Sequence, residues 1–439
     1  MKKFAVRIFG CQMNSYDGDR IRTAMVHNGW IETTDDVADV VILVTCSIRE
    51  KAEQKVVSEI GRYQVRYRKN ESPMVVLVGC MAQRIGRDVA RRFPCVKIVS
   101  GPRHLGLLPE ALLALEKENK PVFFMDNNPR ELIDLTTPPT DRENPFKAYV
   151  TISYGCDRFC TYCIVPYVRG RLQSRSREEI LSEISVLTRD PALSEITLLG
   201  QNVDAYGKDL NNGYSFANLL YDVSRIENIK RLRFATSHPK DFDDDILEVM
   251  ADNPHICRAI NLPVQSGNDR ILKMMNRGYT SGRYRELVDK IRTVLPDVSL
   301  TTDLIVGFPG ETEEEFMDSY YLLRDLKFDI VHTAAYSPRE GTRAAVMPDQ
   351  IPEEVKFDRL NRLNEMQSGL ARNLNEEYEG RIEEILVDGP APKGDGLLQG
   401  RTLTDKVVII EGGPELIGKL VYVKITRGSH WSLVGDIVK

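Results

Sequence analysis

Six short apolar runs recur between residues 149 and 337, and periodic helical stretches separate them. Ser176 with Glu179, and Thr312 with Glu315, form capping-box patterns that predict where two of these helices begin. Strands that alternate with helices form parallel sheet through right-handed crossovers. Six such units are too few to close an eight-unit barrel, so the sequence predicts a partial (β/α)6 barrel. The runs are 149–155, 195–202, 231–237, 259–266, 300–308 and 330–337.

Two further segments flank this predicted barrel, as expected for a chain of 439 residues, which exceeds the usual size of one domain. Residues 1–138 alternate β-branched runs with helical patterns, which predicts an amino-terminal parallel α/β sheet domain, and a Pro-rich linker covers 136–146. Beyond residue 380, alternating runs spaced by Gly and Pro predict a small five-stranded antiparallel β-barrel. The fold class is therefore α/β, with predicted domains at 1–138, 139–376 and 377–439.

The last helix before the predicted β-barrel follows Pro352. Its apolar residues recur at helical spacing, which predicts that they form its buried face. These residues are Leu360, Leu363, Met366, Leu370 and Leu374.

The composition predicts the cellular compartment of the protein and the role of its cysteines. No apolar run approaches the roughly 20 residues of a membrane-spanning helix, and the first residues are too polar for a signal peptide, so we expect a cytoplasmic chain with no membrane partner. Thiols stay reduced in that compartment, so the eight cysteines favour metal ligation or catalysis over disulfides. The net charge of −5 argues against a general nucleic-acid coat, although a local basic groove is compatible with it.

Three cysteines, Cys156, Cys160 and Cys163, lie within eight residues directly after the first predicted barrel strand. A structural zinc site uses four ligands, and no further cysteine or histidine lies beside the triplet. A cubane iron-sulfur cluster offers another solution, because three thiolates leave its fourth iron open for a ligand that is not protein. Barrel enzymes carry their chemistry where the strands end, so the sequence favours a [4Fe-4S] cluster here.

A second set of cysteines, Cys11, Cys46 and Cys80, ends three apolar strands of the amino-terminal segment. The carboxyl ends of parallel strands lie on one edge of a sheet, so these thiols should converge. Burial as small core residues is the alternative, and it is the interpretation preferred for Cys95 and Cys257. Because each of the three cysteines stands at a strand exit, we predict that they ligate a second [4Fe-4S] cluster with an open iron.

The whole chain resembles the radical S-adenosylmethionine (SAM) methylthiotransferase family, and within it the MiaB branch. The resemblance rests on both cysteine sets and on a carboxy-terminal segment similar to a TRAM domain. One departure is Arg-Glu in SPREGT, where the family usually has Arg-Pro. The matching motifs are FGCQMNSYDGD, VTCSIREKAEQKV, VGCMAQR, YGCDRFCTYCIVPYVRGR, LLGQNVDAYG, INLPVQSGNDRILKMMNRGYT, TDLIVGFPGET and YSPREGT.

The resemblance implies an enzyme that replaces the C2 hydrogen of N6-isopentenyladenosine, next to the tRNA anticodon, with a methylthio group. It implies two [4Fe-4S] clusters and two SAM molecules, one as methyl donor and one as source of a 5′-deoxyadenosyl radical. It also implies an electron donor such as flavodoxin or ferredoxin, and a monomer is expected. No catalytic side chain beyond the cofactor ligands is predicted.

The resemblance further suggests residues that contact SAM. A strand-end turn near the SAM amino group would fall at Gly200, Gln201 and Asn202, although the Glu common in the superfamily is absent there. Tyr162 would lie near the adenine, with simple packing beside the cluster as the alternative. The complete predicted set is Tyr162, Gly200, Gln201, Asn202, Ser237 and Gln265.

Two regions are candidates for tRNA contact. Residues 169–177 contain four arginines beside the second cysteine motif, which suits phosphates near an extruded base, and a solvated helix face is the alternative. Residues 381–439 contain eight basic and eight acidic residues, so an RNA face there needs an uneven charge distribution. The predicted contacts are Arg169, Arg171, Arg175, Arg401, Lys424, Arg427 and Trp431.

Other functions remain open at this point. Sister branches of the family modify threonylcarbamoyl-adenosine in tRNA or an aspartate of a ribosomal protein, and the Gln-Met-Asn stretch after Cys11 is the feature against them. A non-enzymatic iron-sulfur RNA-binding protein would keep the cysteines and the last barrel. It would not need polar residues at the barrel strand ends.

Overall fold

The computed structural model describes residues 2–47, 50–69, 73–114, 121–125 and 132–438. Contacts divide the chain into two compact units. The first unit comprises 1–157, 164–190 and 199–201, and the second comprises 158–163, 191–198 and 202–439. These limits differ from the domain boundaries expected from the sequence, which stay predictions.

The first unit is built on a six-stranded sheet with the order β2-β1-β3-β4-β5-β6. All five neighbouring pairs are parallel, which confirms the parallel sheet expected for the amino-terminal segment. Its strands are β1 (Lys3–Ile8), β2 (Ile31–Glu32), β3 (Val40–Thr45), β4 (Met74–Gly79), β5 (Val96–Ser100) and β6 (Val122–Phe124). Its helices are α1 (Gln12–His27), α2 (Glu50–Arg68), α3 (Cys80–Arg92) and α4 (Leu108–Ala114), with a 3₁₀ turn at Leu105–Leu107.

Both faces of this sheet are covered. Along β3, Ile42 and Val44 belong to one hydrophobic cluster, which includes Ile21 of α1. Val41 and Leu43 belong to a second cluster on the opposite face, with residues of α2 and α3. A strand that is buried on both faces has an unbroken apolar sequence, as β3 and β4 do. Because both faces are covered, the strand ends of the sheet, and not its faces, are available to form a functional site.

The first unit continues into the segment around the Cys156 motif. A short antiparallel pair, β8 with β9, precedes helix α6, whose capping box joins Ser176 and Glu179 as predicted. The elements are β7 (Lys147–Thr151), β8 (Ser153–Tyr154), α5 (Val165–Val168), β9 (Gln173–Ser174) and α6 (Arg177–Leu187).

The second unit contains the remaining strands of the predicted barrel series. β10 pairs in parallel with β11, and β12, β13 and β14 form a parallel sheet in that order. The Thr312–Glu315 capping box of α11 is present as predicted. Strands are β10 (Glu195–Leu199), β11 (Arg231–Phe234), β12 (Ala259–Asn261), β13 (Ser299–Val306) and β14 (Ile330–Ala335). Helices are α7 (Phe216–Ser224), α8 (Asp244–Asp252), α9 (Asp269–Met274), α10 (Ser281–Val294) and α11 (Glu313–Leu326), with 3₁₀ turns at Val203–Ala205 and Arg343–Val346.

Helix α12 (Glu353–Glu376) has a different buried face from the one the sequence predicted. Leu363 is buried, but the other predicted positions are only partly buried. Polar side chains take their place because each has a fixed partner: Arg359 pairs with Glu311, and the Gln367 amide donates to the Phe328 carbonyl. The buried positions are Lys356, Arg359, Leu363, Gln367, Ala371 and Asn375.

The last strands close into a five-stranded barrel with the order β15-β16-β17-β19-β18. Four pairs are antiparallel and the fifth, β17 with β19, is parallel, which modifies the expected fully antiparallel arrangement. The reason is topological, since an odd number of strands in a closed ring cannot alternate direction throughout. The strands are β15 (Ile382–Pro390), β16 (Leu397–Thr402), β17 (Val407–Glu411), β18 (Leu420–Gly428) and β19 (Leu433–Ile437), with a 3₁₀ turn at Pro414–Leu416. In the described ranges, no helix combines the length and apolar character that a membrane span requires.

Candidate functional site

Cys11, Cys46 and Cys80 follow the carboxyl ends of three neighbouring strands, and we call these three residues the thiol site. Cys46 comes directly after β3, and Cys80 opens helix α3 directly after β4. Cys11 precedes helix α1, three residues after β1 ends. Since β1, β3 and β4 are adjacent and parallel, their exits lie on one edge of the sheet. The Cys11 thiol hydrogen-bonds the Cys46 thiol.

Two glycines allow the chain to turn at this edge. Gly10 has φ +128°, and Gly79, the residue before helix α3, has φ +100°. These are conformations that residues with a side chain adopt rarely. A Cβ on Gly10 would overlap the Cβ of Cys46 and lie 3.2 Å from its Sγ, and a Cβ on Gly79 would overlap the Thr45 carbonyl oxygen. The close turns before Cys11 and Cys80 therefore depend on residues that lack a side chain.

A buried arginine, Arg169, contacts the thiol site. Its Nε lies 3.2 Å from the Cys80 Sγ, and its Nη2 donates to Asn14 Oδ1 at 3.2 Å and to Asp17 Oδ2 at 3.3 Å. Asn14 is fixed in turn, because its Nδ2 donates to the Phe9 carbonyl at 2.7 Å. Cys80 also packs in a hydrophobic cluster with Ile164, the residue before α5, and Val168, the last residue of α5.

The thiols differ in acidity. The hydrogen bond with Cys46 lowers the pKa of the Cys11 thiol to about 5, with help from the Arg169 cation and against the effect of burial. Burial raises the pKa of the Cys80 thiol despite the opposing charge of Arg169. Burial likewise raises the pKa of Asp17 to about 6. A thiolate is the form of cysteine that ligates metals, and Cys11 already favours it.

Replacing Gly10 with alanine should destabilise the thiol site. A positive φ costs a residue with a Cβ on the order of 1–2 kcal/mol, and overlap with Cys46 adds to this at Gly10. Gly29→Ala is the matched control, since Gly29 has φ +79° but no neighbour within 4 Å of the added Cβ. We expect Gly10→Ala to lower the unfolding free energy more than Gly29→Ala does and to reduce bound iron. Equal effects of the two substitutions, measured by denaturation and iron assay, would contradict this geometry.

The second cysteine motif spans the two units, with Cys156 in the first and Cys160 and Cys163 in the second. In the second unit, its loop is anchored at the carboxyl end of helix α9. Thr161 donates its backbone N–H to the Met275 carbonyl at 3.0 Å and its hydroxyl to the Met274 carbonyl at 2.9 Å. The Cys160 Sγ lies 3.6 Å from an Nη of buried Arg277.

Asp241 organises a polar cluster at the ends of β10 and β11 in the second unit. Its carboxylate accepts hydrogen bonds from Arg158, Asn202 and Lys208. Burial alone would raise the pKa of Asp241, but the hydrogen bonds from Arg158 and Lys208 hold it well below its usual value. Burial and the nearby Arg277 cation lower the pKa of His238 to about 2, so that imidazole is neutral.

The residues predicted to contact SAM lie in different local environments. Tyr162 packs against a group of buried hydrophobic residues that includes Met275 and Phe308. The Gln201 amide lies 2.6 Å from the Met13 Sδ, in the first unit with Gly200. In the second unit, the Ser237 hydroxyl donates to Asp204 Oδ1 at 3.0 Å. Gln265 has φ +71° and pairs with Leu304 through its backbone.

The predicted tRNA contacts also separate into groups. Arg169 is only 3% exposed, so it lies inside the first unit and not on a surface. Arg175 is largely buried and pairs with Glu183 at 2.7 Å. Arg171 is exposed and pairs with Asp157 at 2.6 Å. On the β-barrel, Arg401 pairs with acidic side chains, whereas three predicted contacts are exposed: Lys424, Arg427 and Trp431.

The thiol site fits a thiolate-ligated cluster. Its donors are three cysteine sulfurs on one sheet edge, beside a buried cation that balances negative charge. In the second unit, Asn202 Oδ1 and His238 Nε2 are buried without a hydrogen-bond partner, as expected where a polar cofactor supplies the partner. Within the described part of the chain, no three Cys, His, Asp or Glu side chains are arranged to hold a single metal ion.

Three family models match successive parts of the chain. The model of an uncharacterised protein family, UPF0004, covers residues 3–101. The Radical SAM superfamily model covers 150–323, and the TRAM domain model covers 376–438. With the strand order and the closed terminal barrel, these matches define a radical SAM enzyme and confirm the predicted fold class.

Curated relatives match over nearly the full length and carry one name, tRNA-2-methylthio-N(6)-dimethylallyladenosine synthase. The protein from Aquifex aeolicus is 42% identical over 439 residues, covering 100% of this chain and 99% of the relative. The protein from Carboxydothermus hydrogenoformans is 44% identical over 440 residues, with the same coverage. The chain belongs to this family of radical SAM methylthiotransferases, which confirms the resemblance drawn from its motifs.

Solved structures support the fold. The radical SAM methyltransferase TsrM from Kitasatospora setae has a TM-score of 0.55 and 15% identity, covering 79% of this chain and 75% of that one. The cobalamin-dependent radical SAM enzyme OxsB has a TM-score of 0.52 and 13% identity, covering 84% of this chain and 56% of that one. At such identities the likeness concerns the fold alone.

The site contains residues that were not predicted from the sequence. These are Asp241, Arg277 and Asp17, whose partners are distant in the chain. Two signals were available. Arg158, a partner of Asp241, lies inside the cysteine motif, and Arg277 lies in the NRGYT stretch of a motif already recognised.

Proposed function

We propose that this protein replaces the C2 hydrogen of N6-isopentenyladenosine, next to the anticodon of tRNA, with a methylthio group. N6-isopentenyladenosine is the dimethylallyladenosine in the name that the relatives carry. The observation that carries the proposal is the convergence of Cys11, Cys46 and Cys80 on adjacent strand ends, in a chain that also has the Cys156 motif. Two cluster sites suit a reaction that needs both a sulfur carrier and a radical source.

The two cysteine sets divide the work in this proposal. Cys156, Cys160 and Cys163 would hold the cluster that binds SAM, and Cys11, Cys46 and Cys80 would hold the cluster that carries sulfur. When bound, the two [4Fe-4S] clusters and two SAM molecules supply methylation of the sulfur and the radical that activates C2. The protein contributes proximity, orientation and exclusion of water.

The strand-end side chains are candidates for orienting SAM. Asn202 Oδ1 is a buried acceptor without a partner. Because His238 Nδ1 accepts from the Lys240 backbone N–H, the neutral imidazole carries its proton on Nε2, which is a buried donor without a partner. Together they suit a ligand that both donates and accepts hydrogen bonds. The remaining candidates are Tyr162, Gly200, Gln201, Ser237 and Gln265. We further propose that a flavodoxin or ferredoxin supplies electrons, that the protein acts as a monomer and that it acts on cytoplasmic tRNA.

The nucleosides of cellular tRNA test the substrate directly. Deleting the gene should abolish the 2-methylthio derivative of N6-isopentenyladenosine and raise the unthiolated nucleoside by a matching amount, as measured by mass spectrometry. The full chain on a plasmid should restore the derivative. An unchanged nucleoside profile, or loss of a different methylthio nucleoside, would contradict the proposed substrate.

The carboxy-terminal barrel is the proposed tRNA-binding module. Tyr422 and Lys424 alternate with buried residues on β18 and therefore share its outer face. Trp431, in the turn after β18, is 77% exposed, and its ring lies beside His430. Exposed aromatic rings next to basic residues suit stacking on unpaired bases and contact with phosphates.

Point substitutions test this module better than truncation does. Arg231 of β11 is fully buried and donates to the carbonyls of Arg401 and Glu384 in the barrel, so deleting the barrel would expose a buried cation. Trp431→Ala should instead weaken tRNA binding by about 1–3 kcal/mol, roughly 5- to 150-fold. SAM cleavage without tRNA should not change.

Two lysine variants complete this test. Lys424→Gln should reduce the dependence of log affinity on log salt by about one counterion. Lys393→Gln, at an exposed position between β15 and β16, is the matched control. Unchanged tRNA affinity of both Trp431→Ala and Lys424→Gln, at matched salt, would contradict an RNA-binding role for this face.

A further inference from the structure

The guanidinium of Arg169 is held in one orientation. It is nine-tenths or more buried, and its contacts reach α1 through Asn14 and Asp17 and α3 through Cys80. Its backbone is fixed as well, because Arg103 donates to the Arg169 carbonyl at 3.0 Å. Burying a guanidinium is costly unless its donors are paired, so this position needs a charged or strongly polar set of partners.

One of those partners is unusual. Asp17 can balance the charge of Arg169, yet the Nε donor lies 3.2 Å from the Cys80 Sγ and not from a carboxylate. A neutral thiol is a weak acceptor, whereas a thiolate accepts a charge-assisted hydrogen bond. The contact therefore suits a Cys80 sulfur that carries negative charge, as a cluster ligand does.

We propose that Arg169 is a positioning residue of the thiol site, which holds the Cys80 sulfur and stabilises negative charge on the group bound there. This inference rests on the second cluster of the proposed function. A one-electron reduction adds one negative charge to a cluster, and hydrogen bonds to the sulfurs and nearby charge set its reduction potential. The buried cation should stabilise the reduced form more than the oxidised form.

The test uses full-length protein with Cys156, Cys160 and Cys163 changed to alanine, so that only the thiol site can hold a cluster. The variant Arg169→Gln with Asp17→Asn removes both charges of the pair and leaves no unpaired buried ion. Arg169→Lys keeps the positive charge and removes the planar guanidinium, which contacts both Cys80 and Asp17. Arg175→Lys is the matched control, since Arg175 pairs with Glu183 in the same segment.

The measurements are iron content, melting temperature and an EPR-monitored redox titration. Compared with Asp17→Asn alone, we expect the double variant either to lose iron at an unchanged melting temperature or to keep iron at a more negative potential. Arg169→Lys should shift the potential less, and Arg175→Lys should not shift it.

Two results would overturn the inference, and they differ in meaning. A double variant that keeps its iron and has the same potential as Asp17→Asn alone would show that Arg169 does not have the proposed role, and it would leave the proposed function intact. Absence of iron from the reference protein, with Arg169 present, would remove the second cluster itself. If the double variant does not fold, an unchanged potential in Arg169→Gln alone, with iron retained, would overturn the inference.

Discussion

Cys46→Ala should abolish the methylthio product while preserving reductive cleavage of SAM to 5′-deoxyadenosine. Cys46 hydrogen-bonds Cys11 at the thiol site, so its loss removes one of three thiolates from the proposed sulfur-carrying cluster. Radical generation needs only the cluster on the other cysteine set and its SAM. Assays of 5′-deoxyadenosine and of methylthio nucleoside in the same reaction measure the two outcomes.

Cys95→Ala is the matched control for Cys46→Ala. Cys95 is fully buried before β5 in the same sheet, and it lies outside the thiol site. It should retain both activities and its full iron content, with only a packing cost to stability. A Cys46→Ala protein that still forms methylthio product at a near-normal rate would show that the thiol site has only a structural role.

Replacing Cys156, Cys160 and Cys163 together with alanine should abolish SAM cleavage and leave about half of the iron bound. The remaining iron belongs to the thiol site, which these substitutions do not touch. Chemical iron assay and a SAM cleavage assay measure the two effects. Cys257→Ala is the control, because this buried cysteine of the second unit belongs to neither set. Residual SAM cleavage in the triple variant would contradict the assigned radical site.

The strand framework, and the positions of Cys11, Cys46 and Cys80 at the ends of neighbouring strands, could be predicted because local signals determine them. An apolar run that is buried on both faces, as at β3, marks a parallel strand, and parallel neighbours must end on one edge. A cysteine at each of three exits therefore predicts convergence without knowledge of any long-range contact. Capping boxes such as Ser176 with Glu179 are equally local.

The environment of Arg169 could not be predicted because its partners are distant in the chain. Arg169 lies 155 residues from Asn14 and 89 residues from Cys80. From the sequence alone, four arginines within nine residues suggest a phosphate-binding surface. Only the packing of α1 and α3 reveals that one of them is buried against a thiol.

Two features of the fold were hidden for similar reasons. Helix α12 buries Arg359 and Gln367 because Glu311 and the Phe328 carbonyl pair with them. The spacing of apolar residues along the sequence gives no information about such polar pairs. The parallel contact between β17 and β19 follows from closing a ring of five strands, and no single strand carries that information.

Two clusters in one chain are the central claim, and the iron content of anaerobically reconstituted full-length protein tests it most directly. The measurement combines iron and sulfide assay per chain with Mössbauer spectroscopy. The account predicts about eight irons, all in two [4Fe-4S] clusters. About four irons in a single cluster, or a colourless protein that binds zinc, would contradict it.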